Sequence, residues 1–223
     1  MNSYSTTMSG AEINVFLTGI GGANAWQESS NGIGDTRYQV LISSGLAGAL
    51  KPEHKVREVL AAESICVAHE LNVVCCDSQL VEIAAACGAK KVKHFYSADH
   101  VVVGAKEKQE LSVNADAVEM ESGQLLRWAA ARGSRGIAVR AISDEVGEDL
   151  PLDFNQVTTR SGALSIPRVL GQVARRPTTI PSLIRFGQQS RLAAESLAQF
   201  LDRYLNQLAT LDPGFTEEGA KKA

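Results

Sequence analysis

The stretch Ala117-Val118-Glu119-Met120-Glu121-Ser122, read together with Val139-Arg140-Ala141-Ile142-Ser143-Asp144, decides the fold class. Asp144 follows Glu121 by 23 residues, and each acid closes a short apolar, β-branched run. Between them, residues 123–132 are rich in Ala and Leu and predict a helix closed by Gly133. The unit reads strand–helix–strand, with a carboxylate at the carboxyl end of each strand. Ligands of open α/β sheets bind outside that edge, so the two acids form a candidate active site.

The same alternation runs outward from this unit. Residues 13–18 are a compact apolar run stopped by Gly19-Ile20-Gly21-Gly22, and residues 23–30 could form a short helix. Residues 38–43 predict a strand ended by Gly45-Leu46-Ala47-Gly48. Residues 56–68 read as extended and residues 78–86 as helical. Residues 92–95 and 100–103 are strand-like, the latter followed by a polar segment at 106–109, and a loop holding Pro151 spans 145–155. Farther on, Leu197, Phe200, Leu201, Tyr204, Leu205 and Leu208 recur at three- and four-residue steps, the apolar face of an amphipathic helix over 194–211. With no repeat and no linker, this predicts one domain over 1–212: an α/β fold whose sheet is mostly parallel and covered by helices, with a loose tail at 213–223.

Composition narrows the function classes. The chain has 223 residues, 44% hydrophobic and 21% charged, enough for one well-buried core. A net charge of −3 gives no electrostatic case for nucleic acid or an anionic membrane. No apolar run approaches the ~20 residues of a membrane span, and the polar start lacks the basic and apolar regions of a signal peptide. Cys66, Cys75, Cys76 and Cys87 lie in apolar surroundings without Cys-x-x-Cys spacing. They predict reduced, buried thiols in a cytosolic protein, with no metal site and no cofactor.

The glycine turns divide by context. Gly19-Ile20-Gly21 follows a strand, but Asn24 stands where the third glycine of a dinucleotide fingerprint belongs, and Asp35 precedes a strand. Gly45-Leu46-Ala47-Gly48 either turns its amides toward a ribose or an anion, or is a tight strand-to-loop turn. Gly32-Ile33-Gly34 reads as a helix exit.

Taken in order, Thr18-Gly19-Ile20-Gly21 with Ala23-Asn24-Ala25, Ser44-Gly45-Leu46-Ala47-Gly48, Val118-Glu119-Met120-Glu121 and Arg140-Ala141-Ile142-Ser143-Asp144 resemble the nucleoside phosphorylase/nucleosidase superfamily. The resemblance is closest to its methylthioadenosine/S-adenosylhomocysteine nucleosidases. It runs from about residue 13 to residue 150, with the Glu121/Asp144 pair as its specific part. Residues 168–191 are similar, more loosely, to the hopanoid-associated members. The resemblance implies a three-layer α/β/α fold and cleavage of the N-glycosidic bond of an adenine-type purine nucleoside. It also implies assembly as a homodimer or larger homo-oligomer.

The residue types suit that chemistry. N-glycosidic cleavage passes through an oxocarbenium-like ribosyl cation, and the purine departs well once N7 is protonated. A partly desolvated Asp144 carboxyl could supply the proton. Ionised Glu121 could accept hydrogen bonds from both ribose hydroxyls and stabilise the developing positive charge. The resemblance implies that Met120 lies under the ribose, that Ser143 and Arg140 support Asp144 and the nucleophile site, and that Val101 and Val102 contact the purine. Glu119, Gly21, Gly45, Leu46, Ala47 and Gly48 complete the candidate binding residues. Each acid also has a plainer reading: Asp144 capping a turn, Glu121 capping the next helix, Arg140 pairing with Glu119. His94 and His100 read as surface or packing residues.

Two departures from the family pattern bear on mechanism. Ser43 and Leu46 stand where a phosphate cradle is expected and neither is basic, which favours water over phosphate as nucleophile. The family also carries a strand upstream of the 13–18 equivalent, with an acid that positions the nucleophile. The polar residues before 11 read as too short and too polar for it, Glu12 adjoins the wrong strand, and loss of that strand predicts exposed sheet edges. Hydrolase, phosphorylase and non-catalytic nucleoside binder are the three functions compatible with these residues.

Overall fold

The computed structural model describes residues 2–21, 38–159 and 162–211. The predicted helix at 23–30, the 32–34 turn, Gly22, Asp35 and the tail at 213–223 lie outside the described residues.

Ser9 and Gly10, at φ +50° and +85°, turn the chain between β1 (Asn2–Met8) and β2 (Ala11–Leu17), which pair antiparallel from Asn2↔Leu17 to Met8↔Ala11. Two positive φ values at a two-residue turn match the right-handed twist of the strands they join. Residues 2–8, which read from sequence as too short and too polar for the family's first strand, are half of a hairpin. Tyr4, Thr6 and Thr7 suit an extended ribbon, and residues 3–7 are all exposed. The hairpin is a separate two-stranded sheet, so the 13–18 run does not enter the main sheet.

The main sheet holds β3 (Val40–Ala49), β4 (Val59–Val67), β5 (Val73–Cys75), β6 (Lys90–Ser97), β7 (Ala117–Glu119) and β8 (Arg135–Asp144), in the order β5-β4-β6-β7-β3-β8. A further antiparallel pairing, Val59↔Ala141 to Ala61↔Val139, joins β8 back to β4. Five strands thus close into a ring, and closure removes the edge that an open sheet would expose. The β3–β8, β4–β6 and β6–β7 pairs are parallel, whereas β3–β7, β4–β5 and β4–β8 are antiparallel. The sheet is evenly mixed rather than mostly parallel, because the ring closes through two antiparallel seams.

Helices pack outside the ring. One apolar cluster draws on all five ring strands and is rich in alanine (Ala47, Ala49, Ala62, Ala117, Ala138), as a narrow ring requires, with Leu126 of α3 (Ser122–Ala131) packed into it. A second joins Val59, Ala61, Ile137, Val139 and Ala141 to α1 (Ser78–Ala86) and to α6 (Ile180–Thr210). The amphipathic face predicted for 194–211 supplies the contact: Leu197, Phe200 and Tyr204 are buried, and the Tyr204 hydroxyl donates to Leu80 O at 3.0 Å. The helix itself begins at Ile180, with Pro181 in its first turn, where a missing N–H costs nothing.

Residues 100–103 are not a strand. Asn155 grips Val101 from both sides, its Oδ1 accepting from Val101 N at 2.8 Å and its Nδ2 donating to Val101 O at 2.9 Å. The backbone is thus satisfied without a ladder. The polar segment after it is α2 (Ala105–Leu111), and α4 (Phe154–Val157) and α5 (Ile166–Arg175) follow the 145–153 loop. Among the described residues no helix is long and apolar enough to cross a membrane.

Candidate active site

Strand β3 stands between β7 and β8, and Gly48 is registered to Val118 on one side and Asp144 on the other. Because β7 runs antiparallel to β3 while β8 runs parallel, the two acids do not share one carboxyl edge, as a simple strand–helix–strand unit would have it. Glu121 turns back along β3 to the level of Arg140, whose Nη2 lies 3.5 Å from Glu121 Oε2. The glycine segment 45–48 spans the gap between the acids. It is part of β3, not a turn after it.

A bulge decides where Asp144 points. Ala47 is registered to Ile142 but Gly48 to Asp144, leaving Ser143 as the extra residue on β8. An added residue transfers the next side chain to the opposite face. A Cβ on Gly45 would approach the Arg140 guanidinium at 3.8 Å, whereas one on Gly48, three positions on and facing the other way, would lie 2.9 Å from Asp144 Oδ2. Arg140 and Asp144 therefore occupy opposite faces of β3. Ser44 and Leu46 share the Gly48 face and are exposed, so Asp144 looks onto an open surface.

Asp144 is 5% exposed and does not cap a turn. Ser143 Oγ donates to its Oδ1 at 2.6 Å, and Lys108 Nζ donates to its Oδ2 at 2.5 Å. Lys108 is wholly buried, and its two remaining N–H groups go to Glu145 O (3.1 Å) and Glu148 O (2.8 Å). A buried ammonium is tolerable when every donor is used and the charge is paired. The partly desolvated acid anticipated from sequence is thus one half of an ion pair. Lys108 escaped sequence reading because it sits in a polar run beside Lys106, whose side chain is 90% exposed. No local signal separates the two.

Behind β3 lies a second buried cluster. Arg140 Nη2 donates to Glu119 Oε2 (2.6 Å), Ser122 Oγ (2.9 Å) and Ser43 Oγ (3.1 Å), and its Nη1 to Val139 O (3.1 Å). Glu119 Oε2 also accepts from Glu121 N (2.9 Å) and Ser122 N (2.8 Å), so Glu119, not Glu121, holds the start of α3. This leaves the Glu121 side chain available. Its Oε1 accepts from Gly21 N at 2.8 Å, which brings the first glycine turn, a hundred residues away in sequence, onto the site. Burial raises the Glu121 carboxyl above its ordinary range; the Arg140 guanidinium opposes that rise and Glu119 adds to it.

The remaining candidates are more scattered. Met120 is half-buried against the cluster of Leu50, Ala98, Val102 and Val118, and the Val102 side chain lies in that core and not on the surface. Val101 is half-buried, with its backbone occupied by Asn155. Ala47 is buried and accepts from Ser143 Oγ at 3.3 Å. His100 is half-exposed between Asp99 and Glu107, and His94 Nδ1 meets Ser64 Oγ at 2.8 Å, so neither faces Asp144. The cysteines are unpaired but less buried than anticipated: Cys75, on the three-residue edge strand β5, is exposed. Burial pushes the Cys76 thiol up to about 12. Among the described residues no group of His, Cys, Asp and Glu could hold a metal ion. A cavity of about 350 Å³ walled by Arg57, Lys90 and Arg203 lies against α6 and contains none of the residues above.

In fold, ring and helices are those of solved nucleosidase and futalosine hydrolase structures. The chain is similar to the 5′-methylthioadenosine/S-adenosylhomocysteine nucleosidase of Campylobacter jejuni, with a TM-score of 0.67 and 18% identity over 92% of this chain and 85% of that one. It is similar to a futalosine hydrolase mutant of Helicobacter pylori (TM-score 0.66, 17% identity, 92% and 85% covered). It is likewise similar to the S-adenosylhomocysteine nucleosidase of Streptococcus pyogenes in complex with 5-methylthiotubericidin (TM-score 0.66, 19% identity, 92% and 84% covered). No protein-family model matches the chain, and no curated protein matches it significantly.

Proposed function

We propose that the protein hydrolyses the N-glycosidic bond of a purine nucleoside carrying an adenine-type base. The observation that carries this reading is the bulge at Ser143. It turns the buried Asp144 to the face of β3 that carries the exposed Ser44 and Leu46, while Glu121 is held beside the same strand by Gly21 N–H. Asp144, once protonated out of its resting ion pair with Lys108, donates that proton to the purine N7 as the C1′–N9 bond breaks. Glu121 binds the ribose hydroxyls and stabilises positive charge at the sugar. Arg140, Glu119 and Ser143 hold these groups in place. Met120 and the 45–48 segment line the sugar side, and Val101 and Val102 support the base side.

Water is the favoured nucleophile because the Arg140 guanidinium is buried behind β3, on the face opposite Leu46, where it pairs with Glu119. Arg140 gives its terminal N–H groups to Glu119, Ser43, Ser122 and Val139, leaving no arginine fork beside Leu46 for phosphate among the described residues. The three-layer arrangement, a cytoplasmic setting and assembly into a homodimer or larger oligomer belong to the same proposal. Four free cysteines support a reducing compartment, and the exposed Ile166, Leu170 and Ile184 offer apolar surface for a second copy.

The test is base release from methylthioadenosine, S-adenosylhomocysteine, adenosine and futalosine, with and without phosphate. Phosphate-independent release is expected. Asp144→Asn should abolish turnover and keep the fold; unchanged turnover in that variant would sink the mechanism. Strict phosphate dependence would move the protein to the phosphorylases, and binding without base release would make it a nucleoside-binding protein.

A further inference from the structure

We propose that Lys108 is a positioning residue for Asp144, so that departure of the purine, but not capture of the ribose, depends on its ammonium. This inference rests on the nucleosidase reading above.

The geometry is specific. Lys108 is the only buried lysine among the described residues, and its three N–H groups point at three different acceptors. One is Asp144 Oδ2; the other two are carbonyls of the loop that follows β8. That loop is fastened from outside as well. Glu148 meets Arg185 through Oε1 and Gln189 Nε2 at 3.3 Å through Oε2, both on α6, and Glu145 meets Lys55 at 2.8 Å. Lys108 thus ties the reacting carboxyl to a loop anchored on the far side by α6. Ser143 fixes the other oxygen, and Gly48 contributes no side chain against Oδ2. Without Lys108, one hydroxyl would hold Asp144, and its carboxyl would be free to rotate over the open face of β3.

The charge has a role in the reaction. Asp144 first takes up one proton from solvent; as C1′–N9 breaks, the electron pair of that bond goes to the purine and the Asp144 O–H proton goes to N7, leaving the carboxylate again. The ammonium 2.5 Å away neutralises that new charge, and the Lys108 and Asp144 side chains that make the pair are both buried. Water then adds at C1′ and releases one proton, which balances the one taken up. A leaving group that needs no proton would not call on Lys108.

That difference is the test. Lys108→Met and Lys108→Arg are compared with wild type on an adenine nucleoside and on p-nitrophenyl β-D-ribofuranoside, whose leaving group departs unprotonated. Lys108→Met is expected to lower adenine release about 100-fold, within the range of a lost general acid, and p-nitrophenol release no more than about threefold. Lys108→Arg, which keeps the charge, should fall between wild type and Lys108→Met, and it carries the test if Lys108→Met does not fold. A parallel fall on both substrates would show a merely structural lysine and overturn the proposal, as would no fall on either. If the wild type releases no adenine, the nucleosidase reading fails by itself, and adenine binding by calorimetry decides for Lys108. Binding at least tenfold weaker in the variant supports it; equal binding, or none to any form, overturns it.

Discussion

Replacing Gly48 with alanine tests the whole arrangement with one methyl group. The added Cβ would lie 2.9 Å from Asp144 Oδ2, 3.6 Å from its Cγ and 3.4 Å from Val118 Cγ1. Val118 tolerates such a contact; the carboxylate does not, and something must move. Backbone shift is the costly route, because β3 is hydrogen-bonded to β7 and β8 at this residue. Rotation of Asp144 is cheaper, but it breaks the 2.5 Å pair with Lys108 or the 2.6 Å bond from Ser143. Overpacking of this kind costs about 1–3 kcal/mol, which at 2–4 °C per kcal/mol is a fall in Tm of roughly 2–12 °C. The catalytic loss should be larger in proportion, because a displacement near 1 Å at a reacting group costs on the order of 100-fold in rate. Thermal unfolding and base release of Gly48→Ala, measured side by side, check both figures. Wild-type turnover and wild-type Tm together would refute the placement of Asp144 against Gly48. As a control, alanine at Gly147, where a Cβ meets nothing within 4 Å, should leave both unchanged.

Other outcomes follow from the buried charges. Burial raises the Glu121 carboxyl, so its contribution to stability is present below about pH 4.5, its ordinary value, and is lost as pH rises through the higher folded value. Glu121→Gln should therefore gain Tm relative to wild type between pH 4 and pH 8 while losing nucleoside turnover; a constant difference across that range would contradict the assignment. Arg140→Met leaves Glu119 buried and unpaired, and should cost about 3–5 kcal/mol in urea unfolding. Less than 1 kcal/mol would show that the pair is not closed to water. Burial alone would raise Asp116, but hydrogen bonds from His54, Lys51 and the His94 backbone lower it below its ordinary 3.8. Its stabilisation is present above that pH and lost as pH falls through the folded value. Asp116→Asn should cost about 1–3 kcal/mol at pH 7, and the gap to wild type should narrow at pH 3.

Much of this was legible in the chain and some was not, for identifiable reasons. The helix predicted over 78–86 is α1 residue for residue, because Asp77 caps its first turn and Leu80, Val81 and Ala84 recur on one face. Residues 2–8 are polar, and the Ser9-Gly10 turn makes a strand of them in a hairpin apart from the main sheet. Residues 100–103 misled because an apolar β-branched run can also be held by one side chain, here Asn155.

Local order and residue chemistry can be read from the chain alone: the helices over 78–86, 123–132 and 194–211, most strands, and the choice of Glu121 and Asp144 as the acids to watch. These depend on interactions within a few residues, or on side-chain types that chemistry makes rare in combination. Tertiary structure alone decided that five strands close into a ring and that β3 parts the two acids. It alone decided that a bulge at Ser143 turns Asp144 onto the open face, and that Lys108 reaches it from α2. Register, bulges and the meeting of residues 36 positions apart are set by how distant segments pack, and no local pattern of polarity encodes that packing.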